Sequence, residues 1–204
     1  MTIGSGPATS GATVVLVFGG PGAGAAEACA KLAAAFSCMH LSLEALMRAE
    51  VRAESETGRA IAELVRGGKL VPAHFYLTLL KGAITAGGAG TAWVVDGFPR
   101  SLDSLALLEQ QLGTCSHALL LDASDATLEN RLLQPPQSAE AAPAEATADG
   151  ARRRVRTFNN QTLPVIRVLE ARGVLKRADA NGGADATFAA VSAAYKSHMG
   201  VSSR

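Results

Sequence analysis

Short apolar runs alternate along the chain with longer stretches in which apolar residues recur every three or four positions. Residues 13–18 (TVVLVF) are rich in β-branched side chains and end at a pair of glycines. Residues 92–96 (AWVVD) and 117–122 (HALLLD) have the same form: short, continuously apolar, closed by an aspartate. Residues 38–41 and 174–178 are weaker examples. Runs of this kind predict strands buried on both faces, as in a parallel sheet. Between them, Leu43, Leu46 and Met47, and then Leu105, Leu108 and Leu112, keep the spacing of one helix face. Ile61, Leu64 and Val65 do the same ahead of a stop at Gly67 and Gly68. Residues 151–172 predict one long helix, closed by Gly173 and kinked at Pro164. Strands alternating with helices predict an α/β fold: a five-stranded parallel sheet flanked by helices and joined by right-handed crossovers.

One segment departs from this pattern. Residues 134–150 (QPPQSAEAAPAEATADG) hold alanine, proline and acids but no lysine or arginine, and predict a flexible loop. A length of 204 residues fits one domain with one core, placed at residues 13–198 between tails at 1–12 and 199–204. Much of the 48% hydrophobic content is alanine and only 4% is aromatic, which favours helices with alanine on their surfaces. A formal net charge of +1 leaves no global field to select nucleic acid or an anionic membrane. No apolar run approaches membrane-spanning length, and residues 1–12 lack the basic and apolar regions of a secretory leader. Cys29, Cys38 and Cys115 show neither metal spacing nor an even framework. They are expected as reduced thiols in the cytoplasm or another reducing compartment.

The candidate chemistry begins at residues 14–26 (VVLVFGGPGAGAA): a strand, a glycine-rich turn, then an alanine-rich helix. Gly19, Gly20, Gly22 and Gly24 allow the backbone to wrap closely and aim its N–H groups inward, an anion nest at a helix N-terminus. Alone, such a turn also reads as an ordinary strand-to-helix connection.

The rest of the chain adds a resemblance. The run GGPGAG after an apolar strand resembles the phosphate loop of adenylate kinases. So do HLSLEALMRAEV at residues 40–51, Leu70-Val71-Pro72, and DGFPR at residues 96–100. LLLDASDATLENRLL at 119–133 and LPVIRVLEARGVL at 163–175 extend the likeness, which is collinear from about Val14 to Tyr195. It implies a phosphate-loop nucleoside monophosphate kinase architecture, with an acceptor-binding insertion at about 42–72 and a short, altered lid at about 134–150. It also implies transfer of the γ-phosphoryl of ATP to a nucleoside monophosphate, with Mg²⁺, by positioning and charge neutralisation. Carried over residue by residue, Arg48 and Arg100 match arginines on the acceptor phosphate. Arg131 and Arg154 match arginines facing the transferring phosphoryl. Asp96 matches the carboxylate that orients Mg²⁺ through water, Val71 lines the acceptor pocket, and Gly182 lies in the loop against the donor base. Singly, each arginine also reads as a solvated helix-face charge, above all within Arg152-Arg153-Arg154. Four at the family's spacing read as anion contacts.

Other positions depart from the family. Ala25 occupies the lysine position of G-x-x-x-x-G-K-[ST] counted from Gly19 and Gly24. Glu27 stands where the family has a threonine and sets a negative charge beside the place for polyphosphate; it also suits the first turn of a helix. Ala26 replaces a glycine, Leu43 a hydroxyl residue near the acceptor base, Ser104 a glutamine that reads adenine, and Pro135 an arginine. These losses predict a catalytically impaired or inactive relative, acting as a scaffold for a protein partner or as a module that senses nucleotide. AMP-type monophosphates are then expected ahead of ATP, and no cofactor. The alternative is a working kinase using ATP and Mg²⁺.

Overall fold

The computed structural model describes residues 11–88, 90–134 and 147–201. Five strands form one sheet: β1 (Thr13–Gly19), β2 (Cys38–Ser42), β3 (Ala92–Asp96), β4 (His117–Asp122) and β5 (Leu175–Asp179). Their order is β2-β3-β1-β4-β5, and every pairing is parallel. β1 lies at the centre, with Val15 opposite Val94 on one side and His117 on the other. The two weaker apolar runs are the edge strands. An edge strand needs less burial, and β5 leaves Lys176 and Arg177 exposed.

Nine helices are described: α1 (Ala25–Ala35), α2 (Leu43–Arg52), α3 (Glu56–Arg66), α4 (Ala73–Ala86), α5 (Leu102–Leu112), α6 (Asp125–Leu133), α7 (Ala148–Gln161), α8 (Leu163–Ala171) and α9 (Ala184–Met199). The two-residue period of β1 divides the core between them. Val14, Leu16 and Phe18 pack on one face with Leu80 of α4, Leu108 of α5 and Ile166 of α8. Val15 and Val17 pack on the other with Leu32 of α1 and Val191 of α9. Each of these fully buried side chains contributes about 1.5–3 kcal/mol by leaving water.

Local chemistry sets the helix starts. The side chains of Ser42, Ser55, Ser101, Ser124 and Thr147 each accept a hydrogen bond from a backbone N–H three residues on. Such a cap is worth roughly 1 kcal/mol. α2 and α3 pack closely because position 58 is glycine: a β-carbon there would lie 2.0 Å from the Glu50 carbonyl oxygen.

Three boundaries differ from the pattern. Instead of one kinked helix over 151–172 there are two, because the Pro164 ring cannot continue the ladder of α7. α7 ends at Thr162, whose N–H donates to the Phe158 carbonyl at 2.8 Å, and Pro164 sits in the first turn of α8. At its other end α7 reaches back into the expected loop: Thr147 caps it, and Gly150 and Ala151 are buried. Ala12, assigned by the pattern to the tail, is buried in the core. Residues 1–10 of the expected tail and 135–146 of the expected lid lie outside the described residues.

Cys29, Cys38 and Cys115 are buried thiols outside any disulfide. Burial pushes the Cys29 thiol well up and the Cys115 thiol up to about 12, which makes both poor nucleophiles. Below the sheet, at the edge where β4 begins, His117 meets His198 of α9 edge-on, ring centroids 4.8 Å apart. His198 Nε2 donates to the Val174 carbonyl at 3.0 Å, and His117 Nδ1 lies 2.9 Å from the Ser116 hydroxyl. Among the described residues, no helix is long and apolar enough to cross a membrane.

Candidate active site

The loop between β1 and α1 turns on two glycines, Gly22 with φ +87° and Gly24 with φ +84°, a backbone that side chains rarely adopt. Gly24 is the N-cap of α1, and Ala23 closes the turn by donating its N–H to the Gly20 carbonyl at 2.9 Å. Gly20 is buried against Leu128 of α6; a β-carbon there would meet the Leu128 Cδ1 at 2.4 Å. The loop is thus pressed between α1 and α6, and a cavity opens on each side of the α1 N-terminus.

The larger cavity, about 550 Å³, gathers Arg48, Asp96, Arg100 and Arg154 with Gly19 of the loop. Arg48 comes from α2 and pairs with Glu44 one turn earlier at 3.4 Å. Asp96 ends β3, mostly buried. Its Oδ1 lies 3.3 Å from His40 Nε2 of β2 without the alignment of a hydrogen bond, so both buried atoms remain unsatisfied. Arg100 follows β3, and its Nε donates to the Gly97 carbonyl at 2.8 Å, which sets the direction of the guanidinium. Arg154 and its neighbour Arg153, both of α7, line the same cavity, as do Ala25 and Ala26 of α1. The lining therefore holds four guanidiniums against two carboxylates, Glu44 and Asp96. Such a surface suits a phosphate-bearing anion.

The smaller cavity, about 330 Å³, holds Gly22, Gly24, Glu27, Arg131 and Gly182. Arg131 lines this cavity, whereas Arg154 lines the larger one. The Nη1 of Arg131 donates to the Gly22 carbonyl at 3.4 Å and its Nη2 to the Gly182 carbonyl, so it ties α6 to the glycine loop and to the loop after β5. Glu27, in the first turn of α1, also lines this cavity. The helix directs it one turn onward, where it pairs with Lys31 at 2.8 Å and remains half-exposed. That pairing holds the Lys31 ammonium above the ordinary lysine range.

Val71 is half-buried and lines neither cavity. Ser104 is buried with its hydroxyl committed: it accepts from the backbone N–H of Arg100 at 3.1 Å and of Ser101 at 2.9 Å, and donates to the Ser101 carbonyl at 2.8 Å. The pattern missed Lys31, Arg153 and His40 as site residues. Lys31 had a signal, its spacing of four from Glu27. Arg153 had none, since within three consecutive arginines the residue facing the cavity depends on the phase of α7 against α1.

A parallel sheet with its central strand leading through a glycine turn into a helix, and arginines converging beyond the strand ends, is the arrangement of a phosphate-loop nucleotide fold. The adenylate kinase family model matches residues 17–174. The chain is 36% identical over 184 residues to UMP-CMP kinase 1 of Oryza sativa subsp. japonica, covering 90% of this chain and 74% of that protein. It is 30% identical over 179 residues to adenylate kinase isoenzyme 1 of Homo sapiens, covering 87% and 91%. With the Caenorhabditis elegans isoenzyme 1 it shares 33% over 186 residues, 89% and 87% of the two chains. The chain belongs to the adenylate kinase family of nucleoside monophosphate kinases.

Proposed function

We propose that this chain is a phosphotransferase that binds a nucleoside monophosphate in the larger cavity and phosphorylates it from ATP across the glycine loop. The observation that carries the reading is the convergence of Arg48, Arg100 and Arg154 with Asp96 on one cavity that also reaches the start of α1. The comparisons support transfer over the inactive alternative, because the relatives are named as kinases. In this reading Arg48 and Arg100 hold the acceptor phosphate. One of its oxygens attacks the γ-phosphorus of ATP, the bond from that phosphorus to the β,γ-bridging oxygen breaks, and ADP and a nucleoside diphosphate result. Arg154 neutralises charge on the moving phosphoryl.

Mg²⁺ would add further charge neutralisation. The residues present fit it in one respect: Asp96 offers a buried carboxylate oxygen with no hydrogen-bond partner. Mg²⁺ in such sites is held by one or two carboxylates, waters and the substrate's own phosphates, so a single protein ligand suffices. Among the described residues no cluster of three or more metal-ligating side chains exists.

A second reading is favoured by Ala25. With no lysine in the loop, monophosphate binding without turnover would suit a nucleotide-sensing module or a scaffold for a protein partner. A coupled assay with ATP, Mg²⁺ and AMP, UMP or CMP decides between them, alongside calorimetry with each monophosphate alone. Expected are monophosphate binding and turnover about 10²–10³-fold below lysine-bearing relatives, the usual loss for one missing transition-state donor. Binding with no turnover selects the second reading, and absence of monophosphate binding overturns both.

A further inference from the structure

We infer that Asn181 is a positioning residue for the donor nucleotide: one carboxamide ties the connection after β5 to the start of α6, and so sets where Gly182 and Arg131 stand in the smaller cavity. The inference rests on the phosphotransferase reading, with ATP on the smaller-cavity side of the glycine loop. Neither the motif nor the family resemblance singles out position 181.

The need for such a tie comes from the topology. Gly182 lies between β5 and α9, and Arg131 belongs to α6, which follows β4. Both line the smaller cavity with Gly22 and Gly24 of the glycine loop. The Arg131 guanidinium donates to the Gly182 and Gly22 carbonyls, so its place depends on how the two connections sit against one another. β4 and β5 run side by side, but their pairing ends at Asp122 and Asp179, with the Ala180 N–H donating to the Asp122 carbonyl at 2.8 Å. Beyond those residues the Asn181 carboxamide spans the two connections.

The two ends of that amide have different partners. Its Oδ1 accepts from the Ser124 backbone N–H at 2.9 Å and from the Thr127 hydroxyl at 3.1 Å. Its Nδ2 donates to the Asp179 carboxylate at 2.8 Å and to the Asp122 carbonyl at 3.5 Å, and the Asn181 backbone N–H donates to the same carboxylate at 3.0 Å. Oxygen toward α6 and nitrogen toward the strand ends is therefore the orientation that satisfies both sides. The bonds from Asn181 hold the Asp179 carboxyl below its ordinary value. Ser124 is the N-cap of α6, and its hydroxyl accepts from the Thr127 N–H. In a capping box the third helical residue reaches back to the N-cap N–H. Thr127 holds that place, but its hydroxyl is turned to Asn181, and Asn181 accepts the Ser124 N–H in its stead. What the start of α6 fixes reaches the cavity within two turns: Leu128 packs on Gly20, and Arg131 follows three residues later on the same face. Asn181 itself is exposed and lines neither cavity, so its loss opens no hole in the core.

The test is calorimetric binding of Mg-ATP and of AMP to the natural protein and its variants, with the coupled assay giving KM for each nucleotide and circular dichroism giving Tm. Asn181→Ala is expected to weaken Mg-ATP about tenfold, the order of one or two lost hydrogen bonds, and to leave AMP within about twofold. Asn181→Asp keeps an acceptor toward α6 but sets a second carboxylate against Asp179. It should weaken Mg-ATP to a similar extent, which keeps the comparison alive if the alanine variant fails to fold. Adding Asp179→Asn to Asn181→Asp again sets a donor against an acceptor and should recover most of the loss. Arg172→Ala breaks the ion pair with Glu109 at 2.6 Å, outside both cavities, and as the control for stability alone should leave both affinities unchanged. Equal losses for Mg-ATP and AMP, both affinities unchanged whatever the Tm, no recovery in the folded double variant, or no Mg-ATP binding by the natural protein would each overturn the inference. The kinase reading fails separately: Mg-ATP affinity that depends on Asn181 without turnover ends that reading and leaves this one standing, whereas turnover whose KM for ATP is insensitive to Asn181→Ala does the reverse.

Discussion

At the scale of single residues, position 27 shows how direction outweighs identity. A glutamate in the first turn of a helix that follows a phosphate-type loop reads as a charge aimed at the phosphates. In the structure the same carboxylate is drawn one turn along α1 to Lys31 and lines the smaller cavity. For a donor triphosphate on the proposed reading, the missing countercharge at Ala25 is then expected to matter more than the added charge at Glu27. Ala25→Lys should tighten Mg-ATP binding about tenfold, one screened Coulomb contact, whereas Glu27→Thr should change it by less than about threefold, since it also releases Lys31. Titration of both single variants ranks them, and a larger gain from Glu27→Thr would show the glutamate turned toward the loop in solution. Ser104 makes a related point. Its hydroxyl is used up closing the start of α5, so it has no donor or acceptor left over for a base.

At the scale of elements, close packing at a glycine sets a firm expectation. Gly58→Ala forces a β-carbon to within 2.0 Å of the Glu50 carbonyl, so α2 and α3 must separate. Overpacking of this kind costs about 1–3 kcal/mol. Urea denaturation should show that loss, and because α2 carries Arg48, weakened monophosphate binding should accompany it. An unchanged midpoint would mean the helix pair yields without cost. The strands of the sheet were legible as apolar runs because a strand buried on both faces leaves a simple mark. β3 and β4 match their runs end to end, and β1 extends one residue past its own. The break between α7 and α8 was half-legible: Pro164 announced a disturbance, but whether a proline bends a helix or ends it depends on how the flanking turns pack. The start of α7 at Ala148 was hidden by composition, since alanine, aspartate and glycine after a proline-rich stretch look like loop. Arg48, Arg100, Arg154 and Asp96 were singled out through the family resemblance, and they line one cavity. That Arg131 and Arg154 line different cavities could not be read this way, because it depends on how α6 and α7 sit against the glycine loop.

For the whole molecule, the chemistry stands above one edge of the sheet, and a titrating pair stands below the other. Burial, together with the neighbouring imidazole, lowers the basicity of His117 from its ordinary value of 6.5. Burial lowers His198 likewise, with the Lys176 charge adding and the Val174 carbonyl opposing. The unfolded chain therefore takes up protons at a higher pH than the native one. This contribution to stability is present above pH 6.5 and lost as pH falls through the depressed native values. Glu170 and Asp179 titrate below their ordinary values of 4.5 and 3.8, so their loss comes only in stronger acid. Tm should fall between pH 7 and about 5.5, and His198→Gln should flatten that slope. A slope unaffected by the substitution would place the proton uptake elsewhere.

The strand order has a consequence for how such a protein can change over generations. With β1 in the middle, Arg48 and Arg100 reach the larger cavity from the β2–β3 side, Arg131 and Gly182 reach the smaller one from the β4–β5 side, and the glycine loop is the seam between the two cavities. Wear on one flank does not have to spread to the other. A lineage can let the contacts on one flank loosen, or give them up, while the other flank keeps its shape.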